Sequence, residues 1–428
     1  MNAHDDPFSE LKPPMPRDEA LAEANRCLYC YDAPCTRVCP THIDVPGFIK
    51  KIASGNLRGS ARTIFDANVL GASCARVCPT EVLCEGACVM HDQHARPIDI
   101  GRLQRYATDH AQAIGQLPFQ RATIMRTNLG SVAVIGAGPA GLACAAELLK
   151  NGIEPIVYDP AATAGGLNAT GVAEYKMSRG TALVEVVELE KAGITVKHAR
   201  VGTDVSIADL EKQHAAIFIG VGMGKVGRLG LTGDDLPGVL DAIDYIEALK
   251  VDRAAATKQT AGKRLAVIGG GNTSIDVVTQ AARLGASDVF LLYRRAESEM
   301  PAYAHEVELA RHDGCRFLFK TSTQSISKVE GGLRLQLRCE DPKAPTTLDV
   351  DIVVLATGQK PHTSFFSDIA HLKVDRSCVV VDESLRTSNP KYWAGGDCIS
   401  GGKEVVNAVA EGKRAARSII AQLEAVRG

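Results

Sequence analysis

The 428-residue chain is too long for one ordinary domain, and its length suggests about three. With 45% hydrophobic and 23% charged residues it has the balance of a globular protein with sizeable cores. The 48 Lys and Arg against 50 Asp and Glu exclude the strongly basic face of a nucleic-acid binder and a polybasic membrane patch. No run approaches the roughly 18 apolar residues of a membrane span. The polar, acidic start Met1-Asn2-Ala3-His4-Asp5-Asp6-Pro7 is no secretory leader, so a cytoplasmic location is expected.

In chain order, the first section runs to about Gln120 and reads as short helices punctuated by proline. Asp44 before Val45-Pro46 has the form of a helix N-cap with proline in the first turn. Asp99 opens another helix, whose apolar positions Ile100, Leu103, Ala107, Ala111 and Ile114 keep helical spacing. Gln104 shares that face. Its amide is either satisfied by backbone or turned toward a buried group. Gly115 to Asn128 has no period and reads as a linker.

Eight of the 13 cysteines fall in this first section. The spacing is Cys27-x2-Cys30-x4-Cys35-x3-Cys39-Pro40, then Cys74-x3-Cys78-Pro79-x4-Cys84-x3-Cys88. A reducing compartment disfavours disulfides, so a dense cluster points to metal or redox chemistry. Four-iron clusters take four ligands each, mostly thiolates, and Cys-Pro at the end of a run recurs in ferredoxin-type sequences. Two structural zinc sites are the alternative for paired cysteines. His91 and His94 are read as solvated loop residues, and Cys144, Cys315, Cys339, Cys378 and Cys398 as packing.

From Ser131 the chain alternates short apolar strands with helices. Ser131–Ile135 leads into Gly136-Ala137-Gly138-Pro139-Ala140-Gly141 and a helix from Leu142 to Lys150, then a strand ending at Asp159. Glycines after a strand and before a helix make the dinucleotide cradle: they allow the tight turn, and the helix N-terminus faces a pyrophosphate. A carboxylate at Asp159 is placed for ribose hydroxyls. Gly165, Gly166 and Leu167 are added to this cofactor site.

Arg264–Ile268, Gly269-Gly270-Gly271-Asn272-Thr273-Ser274, a helix to Leu284 and a strand from Asp288 repeat the plan. Here Arg294 and Arg295 replace the carboxylate. They are either a 2′-phosphate site, favouring NADPH, or an exposed basic pair beside Glu297. A later strand, Asp351–Leu355, ends in Ala356-Thr357-Gly358, and Gly396-Asp397 precedes a terminal helix from about Glu404 to Leu423. Gly396-Asp397 before that helix fits a closing flavin-holding segment, so the first fold is assigned to FAD and the second to NAD(P)H. The expected architecture is α/β: two Rossmann-like domains preceded by an α-helical iron–sulfur domain. Its sections are 1–125 (iron–sulfur), 126–235 (FAD, first part), 236–350 (NAD(P)H) and 351–428 (FAD, second part).

Cys27-Leu28-Tyr29-Cys30-Tyr31-Asp32-Ala33-Pro34-Cys35 and Cys74-Ala75-Arg76-Val77-Cys78-Pro79-Thr80-Glu81 resemble the iron–sulfur domain shared by the glutamate synthase small subunit and dihydropyrimidine dehydrogenase. Pro97 to Tyr106, with Gln104, resembles the second of these, specifically the FAD-containing electron-input subunit of the two-subunit bacterial enzyme. The resemblance implies two [4Fe-4S] clusters with crossed ligands. Cys27, Cys30, Cys35 and Cys88 would hold one; Cys39, Cys78, Cys84 and the amide oxygen of Gln104 the other; Cys74 would be a bystander. It further implies that Lys176 stands near the flavin where the longer animal enzymes have arginine. Pro301 stands where those enzymes use another arginine for the 2′-phosphate, and the bacterial relatives favour NADH, so the choice of NADH or NADPH stays open.

No side-chain nucleophile or acid/base pair is apparent, as expected where cofactors carry the chemistry. The sequence leaves no segment for a substrate barrel of about 250 residues, so the reducing centre is expected on an FMN and iron–sulfur partner subunit. That partner would interconvert uracil or thymine with 5,6-dihydropyrimidines. A glutamate synthase large subunit is the alternative partner, and a non-catalytic scaffold the alternative class.

Overall fold

The computed structural model describes residues 6–115, 118–340 and 345–427. Positions 116 and 117 of the expected linker lie outside the described residues. The fold is mixed α/β with parallel sheets in two compact units. One comprises Glu10–Ala169, Gly180–Met223 and Pro361–Gly428; the other comprises Met1–Ser9, Thr170–Arg179 and Gly224–Lys360.

The first unit begins with helices Arg17–Asn25, Val45–Ala53, Leu57–Ala67, Gly71–Val77 and Ile100–Ala113. Those at 45 and 100 bury Phe48, Ile49, Ile52, Leu103 and Ala107 in a common core with Ile64. Asp44 caps its helix by accepting from Gly47 N at 3.0 Å. Asp99 stands at the N-cap position but makes no capping bond; its carboxylate pairs with Arg102 at 3.3 Å instead. Ile114, expected on the apolar face, falls one residue past the helix and is exposed.

The sheet of this unit is five parallel strands in the order Tyr392–Ala394, Ala216–Ile219, Val132–Ile135, Pro155–Asp159, Thr195–His198. All four residues of the central strand are buried, which is why its sequence is a continuous apolar run. The helix Pro139–Lys150 begins three residues earlier than the sequence pattern suggests. Pro139 presets helical φ at the first turn, where its missing N–H costs nothing. The terminal helix Val405–Arg427 packs along it, and the approach is close: a Cβ on Gly412 would lie 2.0 Å from the Ala140 carbonyl oxygen. Leu70, Ala143 and Val409 pack together, so the helical section and this sheet form one unit instead of separating at residue 125.

The second unit has five parallel strands in the order Val239–Asp241, Ile352–Leu355, Arg264–Ile268, Asp288–Leu292, Arg316–Leu318. An antiparallel meander, Thr321–Val329, Gly332–Cys339 and Thr347–Val350, completes it. Its limits fall at 224 and 360, not at the 236 and 350 read from the sequence. The reason is backbone pairing: Gly224 N donates to Lys360 O at 2.8 Å and Val226 bridges Gln359, so the entering and leaving segments belong to the unit they serve. The unit also captures the chain start. Phe8 is buried in its core, and Asp6 pairs with Arg253 at 2.5 Å. Among the described residues no helix is long and apolar enough to cross a membrane.

Candidate cofactor sites

Four thiols from both cysteine runs, Cys27, Cys30, Cys35 and Cys88, line one apolar pocket with Val45, Ile49, Ile98 and Ile100. Cys88 comes from the second run, carried there by the 3-10 turn Val89–Gln93 that follows it and the helix starting at Ile100. Burial pushes the Cys35 thiol up to about 12, and charge on Cys27, Cys88 and Cys30 would add to the rise. Cys27 is raised by burial and then by Cys30 and Cys88.

A second group forms around Cys84, which is raised by burial and by Glu85, Cys78 and Cys39. Cys78 is raised by its hydrogen bond with Cys74 and by burial. Lys12 opposes the rise in both; its Nζ donates to the Cys78 carbonyl at 2.7 Å and to Thr80 Oγ1 at 3.1 Å. Buried thiols that raise one another's pKa become thiolates only against a compensating cation. That donor set fits iron–sulfur clusters, where sulfur ligands carry the charge and iron balances it. Among the described residues no group of three or more His, Cys, Asp or Glu side chains is arranged to hold a metal ion. His91 Nε2 lies 3.1 Å from the Glu85 carbonyl, on the same turn as left-handed His94.

Gln104 is buried on Ile100–Ala113, and its Nε2 donates to Gly71 O at 2.7 Å. The amide nitrogen is thereby fixed by backbone. Nothing in the sequence marks Lys12 or Gly71 as neighbours in this chemistry.

In the first glycine loop, Gly136 has φ +102°, and its Cβ would meet the Gly220 carbonyl oxygen at 2.3 Å. Gly141 packs the helix onto the strand: a Cβ there would lie 1.8 Å from Gly136 O. Gly138 differs, since its Cβ would meet only the Gly166 Cα, at 3.9 Å. It therefore leaves open the helix N-terminus that Pro139 and Ala140 begin. Gly165 N donates to Ala137 O at 2.8 Å, which folds Gly165, Gly166 and Leu167 back over this loop. Asp159 accepts from Ala137 N at 2.7 Å and Ala161 N at 2.8 Å, so its carboxylate is braced by the loop beside which it stands. Gly396, φ +77°, donates its N–H to Glu411 at 2.8 Å, and Asp397 is raised by burial while accepting from Lys403 N. The open cradle, the helix end and the half-buried Asp397 fit a dinucleotide of the FAD kind. Cys398 is packing: its Sγ faces the carbonyls of Ile219 and Gly395.

In the second unit Gly269 is closed off by the Ala356 carbonyl, 2.3 Å from its Cβ position, while Gly271 faces open space at the start of the helix Asn272–Arg283. Ser274 Oγ donates to Ala356 O at 3.3 Å, which explains how serine serves in the third place of the motif. Asn272 Oδ1 accepts from Tyr303 N at 3.0 Å, and Thr273 follows it in the first turn. Thr357 and Gly358 are exposed beyond the strand end, and Arg294 and Arg295 are exposed after theirs. That geometry fits a nicotinamide dinucleotide on the helix N-terminus.

Lys176 belongs to this second unit, where its Nζ pairs with Asp276 at 2.8 Å and Glu306 at 2.6 Å. All three side chains are largely buried, and Tyr175 OH donates to Asp276 at 2.8 Å. Burial raises Glu306, which Lys176 opposes. Lys176→Met is expected to leave two carboxylates facing each other without a cation, costing the unit about 3–5 kcal/mol. Urea unfolding followed by circular dichroism would check this, and an unchanged midpoint for that unit would refute it.

The chain resembles known proteins along most of its length. Residues 4–116 match the family described as dihydropyrimidine dehydrogenase domain II, 4Fe-4S cluster. Residues 130–412 match the pyridine nucleotide-disulphide oxidoreductase family. The NAD-dependent dihydropyrimidine dehydrogenase subunit PreT of Escherichia coli (strain K12) is 34% identical, over 97% of each chain. The glutamate synthase [NADPH] small chain of the same strain is 33% identical, over 97% of this chain and 94% of that one. Thioredoxin reductase from T. acidophilum, 20% identical with a TM-score of 0.57 over 68% of this chain and 98% of that one, shares the fold.

Proposed function

The chain belongs to the pyridine nucleotide-disulphide oxidoreductase family and carries an N-terminal domain of the dihydropyrimidine dehydrogenase 4Fe-4S type; on that premise we propose that it feeds electrons to a pyrimidine-reducing partner. It is an NAD(P)H-dependent oxidoreductase with FAD and iron–sulfur centres, of the electron-input type represented by PreT and the glutamate synthase small chain. The finer reading is an FMN and iron–sulfur partner subunit that interconverts uracil or thymine with 5,6-dihydropyrimidines. The observation that carries the electron-input reading is the gathering of both cysteine runs into the same compact unit as the flavin-type glycine loop, a layout suited to electrons leaving through that helical section.

The bound groups supply the chemistry: hydride acceptance from NAD(P)H by FAD, and one-electron conduction by the clusters. The chain's residues hold and shield them. Gly136, Gly138, Pro139, Ala140, Gly141, Asp159, Gly165, Gly166, Leu167, Gly396 and Asp397 would seat FAD. Gly269, Gly271, Asn272, Thr273, Ala356, Thr357 and Gly358 would seat the nicotinamide dinucleotide, with Arg294 and Arg295 at its ribose end. Cys27, Cys30, Cys35 and Cys88 would hold one [4Fe-4S] cluster, and Cys39, Cys78, Cys84 and Gln104 a second. Val45, Ile49 and Ile100 give the first thiol group an apolar wall.

Arg294 and Arg295 offer the test of the choice of nucleotide. If they grip a 2′-phosphate, the double change Arg294→Ala/Arg295→Ala lowers kcat/KM for NADPH by about tenfold or more and leaves NADH nearly untouched. Equal effects on both nucleotides would make the pair a plain surface charge.

The test of function is to recover the tagged chain anaerobically from its own cells and assay it with and without the protein that accompanies it. The chain alone is expected to oxidise NAD(P)H with artificial acceptors and to leave uracil unreduced; restoring an FMN-containing companion should give uracil reduction. Uracil reduction by the chain alone would refute the division of labour. A large amidotransferase companion would transfer the same wiring to glutamate synthesis, the reading that the 33% identity to the glutamate synthase small chain keeps in view.

A further inference from the structure

Glu185, on the helix Arg179–Lys191, is fully buried and has no part in either dinucleotide site or either thiol group. Its Oε1 accepts from Ala72 N at 2.8 Å; its Oε2 accepts from Ser73 N at 3.1 Å and Ser73 Oγ at 2.5 Å. The Ala72 N–H belongs to the peptide group whose carbonyl is Gly71 O, and that carbonyl takes the hydrogen bond from Gln104 Nε2 at 2.7 Å. One peptide group is thus held between a carboxylate on its N–H side and the Gln104 amide on its C=O side. Hydrogen bonds in such a chain polarise one another and strengthen.

The other arm of the network reaches the flavin-type loop. Asn168, directly after Gly165-Gly166-Leu167 and 2% exposed, donates from Nδ2 to Ser73 Oγ at 2.8 Å. Its Oδ1 is buried without a protein partner. The arrangement therefore runs Asn168, Ser73, Glu185, the Gly71–Ala72 peptide, Gln104, all within one compact unit.

We propose that Glu185 is a positioning residue that orients the Gln104 amide through the Gly71–Ala72 peptide and, by its charge, sets the reduction potential of the cluster Gln104 holds. This rests on the reading of Gln104 as a cluster ligand. The physical basis is twofold. Fixing the amide nitrogen presents the amide oxygen to iron in one orientation, the work an outer hydrogen-bond partner does at a metal centre. A buried carboxylate joined to Gln104 through one peptide group opposes the added negative charge of reduction at a cluster that Gln104 holds.

Glu185 is raised to about 7, by burial first, against the lowering effect of its hydrogen bonds to Ser73 and Ala72 and of Arg76. Arg76 is the charged group facing it from the helix Gly71–Val77, and is itself held by Glu10 at 3.0 Å and Asp109 at 2.7 Å; the Cys74 thiol follows Ser73 on that helix. Ser73 and Asn168 are neutral. As pH rises through that range, Glu185 gains its charge and the cluster becomes harder to reduce. Reduction in turn favours uptake of a proton at the Glu185 carboxyl.

The experiment is an anaerobic redox titration of the holoprotein followed by electron paramagnetic resonance at about pH 6 and about pH 8, below and above the range where the carboxyl ionises. In the native chain one cluster's midpoint should fall between the two conditions while the other's stays level. Glu185→Gln should abolish that fall and raise the midpoint at the higher pH. If both clusters of Glu185→Gln match the native midpoints and line shapes under both conditions, the proposal is wrong. Should Glu185→Gln fail to fold, Ser73→Ala, which removes one bond to Glu185 and one to Asn168, must shift the same cluster; an unshifted midpoint overturns the proposal equally. Gln104→Ala tests the underlying reading separately. Loss or alteration of one cluster's signal supports the ligand role, and unchanged signals with full iron would refute it whatever Glu185 does.

Discussion

Gly141→Ala is expected to yield protein that has lost its flavin. The new methyl would stand 1.8 Å from the Gly136 carbonyl oxygen and 3.0 Å from its carbon, and neither is a side chain that can swing aside. The helix Pro139–Lys150 would have to lift from the strand Val132–Ile135, reshaping the turn between them. Overpacking of this kind costs about 1–3 kcal/mol, and when it falls on the cradle the loss of FAD affinity should reach about 100-fold. The flavin-to-protein absorbance ratio after gel filtration reads this directly. Gly138→Ala makes an informative companion, because its methyl would meet only the Gly166 Cα at 3.9 Å. That variant should fold normally and lose flavin through obstruction of the site alone. A flavin-replete Gly141→Ala protein would contradict the assignment of this loop.

Serine substitutions should divide the cysteines into three classes. Cys35→Ser is expected to lose about half of the iron and acid-labile sulfide, and Cys84→Ser the other half, since each removes a thiolate from a different group. Cys88→Ser should behave like Cys35→Ser although it lies in the other run, because it lines the same pocket. Cys74→Ser should retain all the iron. Its hydrogen bond with Cys78 makes it the substitution to watch: loss of a cluster there would mean that Cys74 is a ligand and that the crossed scheme is wrong. Iron and sulfide per polypeptide, with spectra of the reduced proteins, distinguish these outcomes.

Much of this architecture is legible in the sequence, for identifiable reasons. A strand buried on both faces is a continuous apolar run, so Val132–Ile135 and Arg264–Ile268 announce themselves, and glycines at fixed offsets mark the turn and helix after each strand. Cysteine spacing is a local property and carries the clustered chemistry without any tertiary information. The companionship of Cys88 with Cys27 is long-range and has no local signal; the resemblance implies it, and the pocket places the two together. Gly412 is invisible for the same reason, since a glycine in a helix acquires meaning only from the Ala140 carbonyl of another helix. Glu185 reads as one more charge on a surface helix, and only its burial separates it from Glu188 and Glu190. The resemblance attaches Lys176 to the flavin, whereas the structure gives it two carboxylates of the nicotinamide-type unit as partners.

The interleaving of the two units has a consequence for how the protein is made. The flavin-type sheet has its outer strand at Tyr392–Ala394, paired with Ala216–Ile219, and its covering helix at Val405–Arg427. Neither exists until the ribosome has passed those positions. The inserted unit, by contrast, has every strand of its sheet by Leu355, and it also claims the first described residues through Phe8. On this topology the nicotinamide-type unit matures first, inside an unfinished host, while the cysteine runs translated long before wait beside an incomplete sheet. Loading of flavin is then a late event, and a nascent chain stalled before Tyr392 should be recovered without flavin.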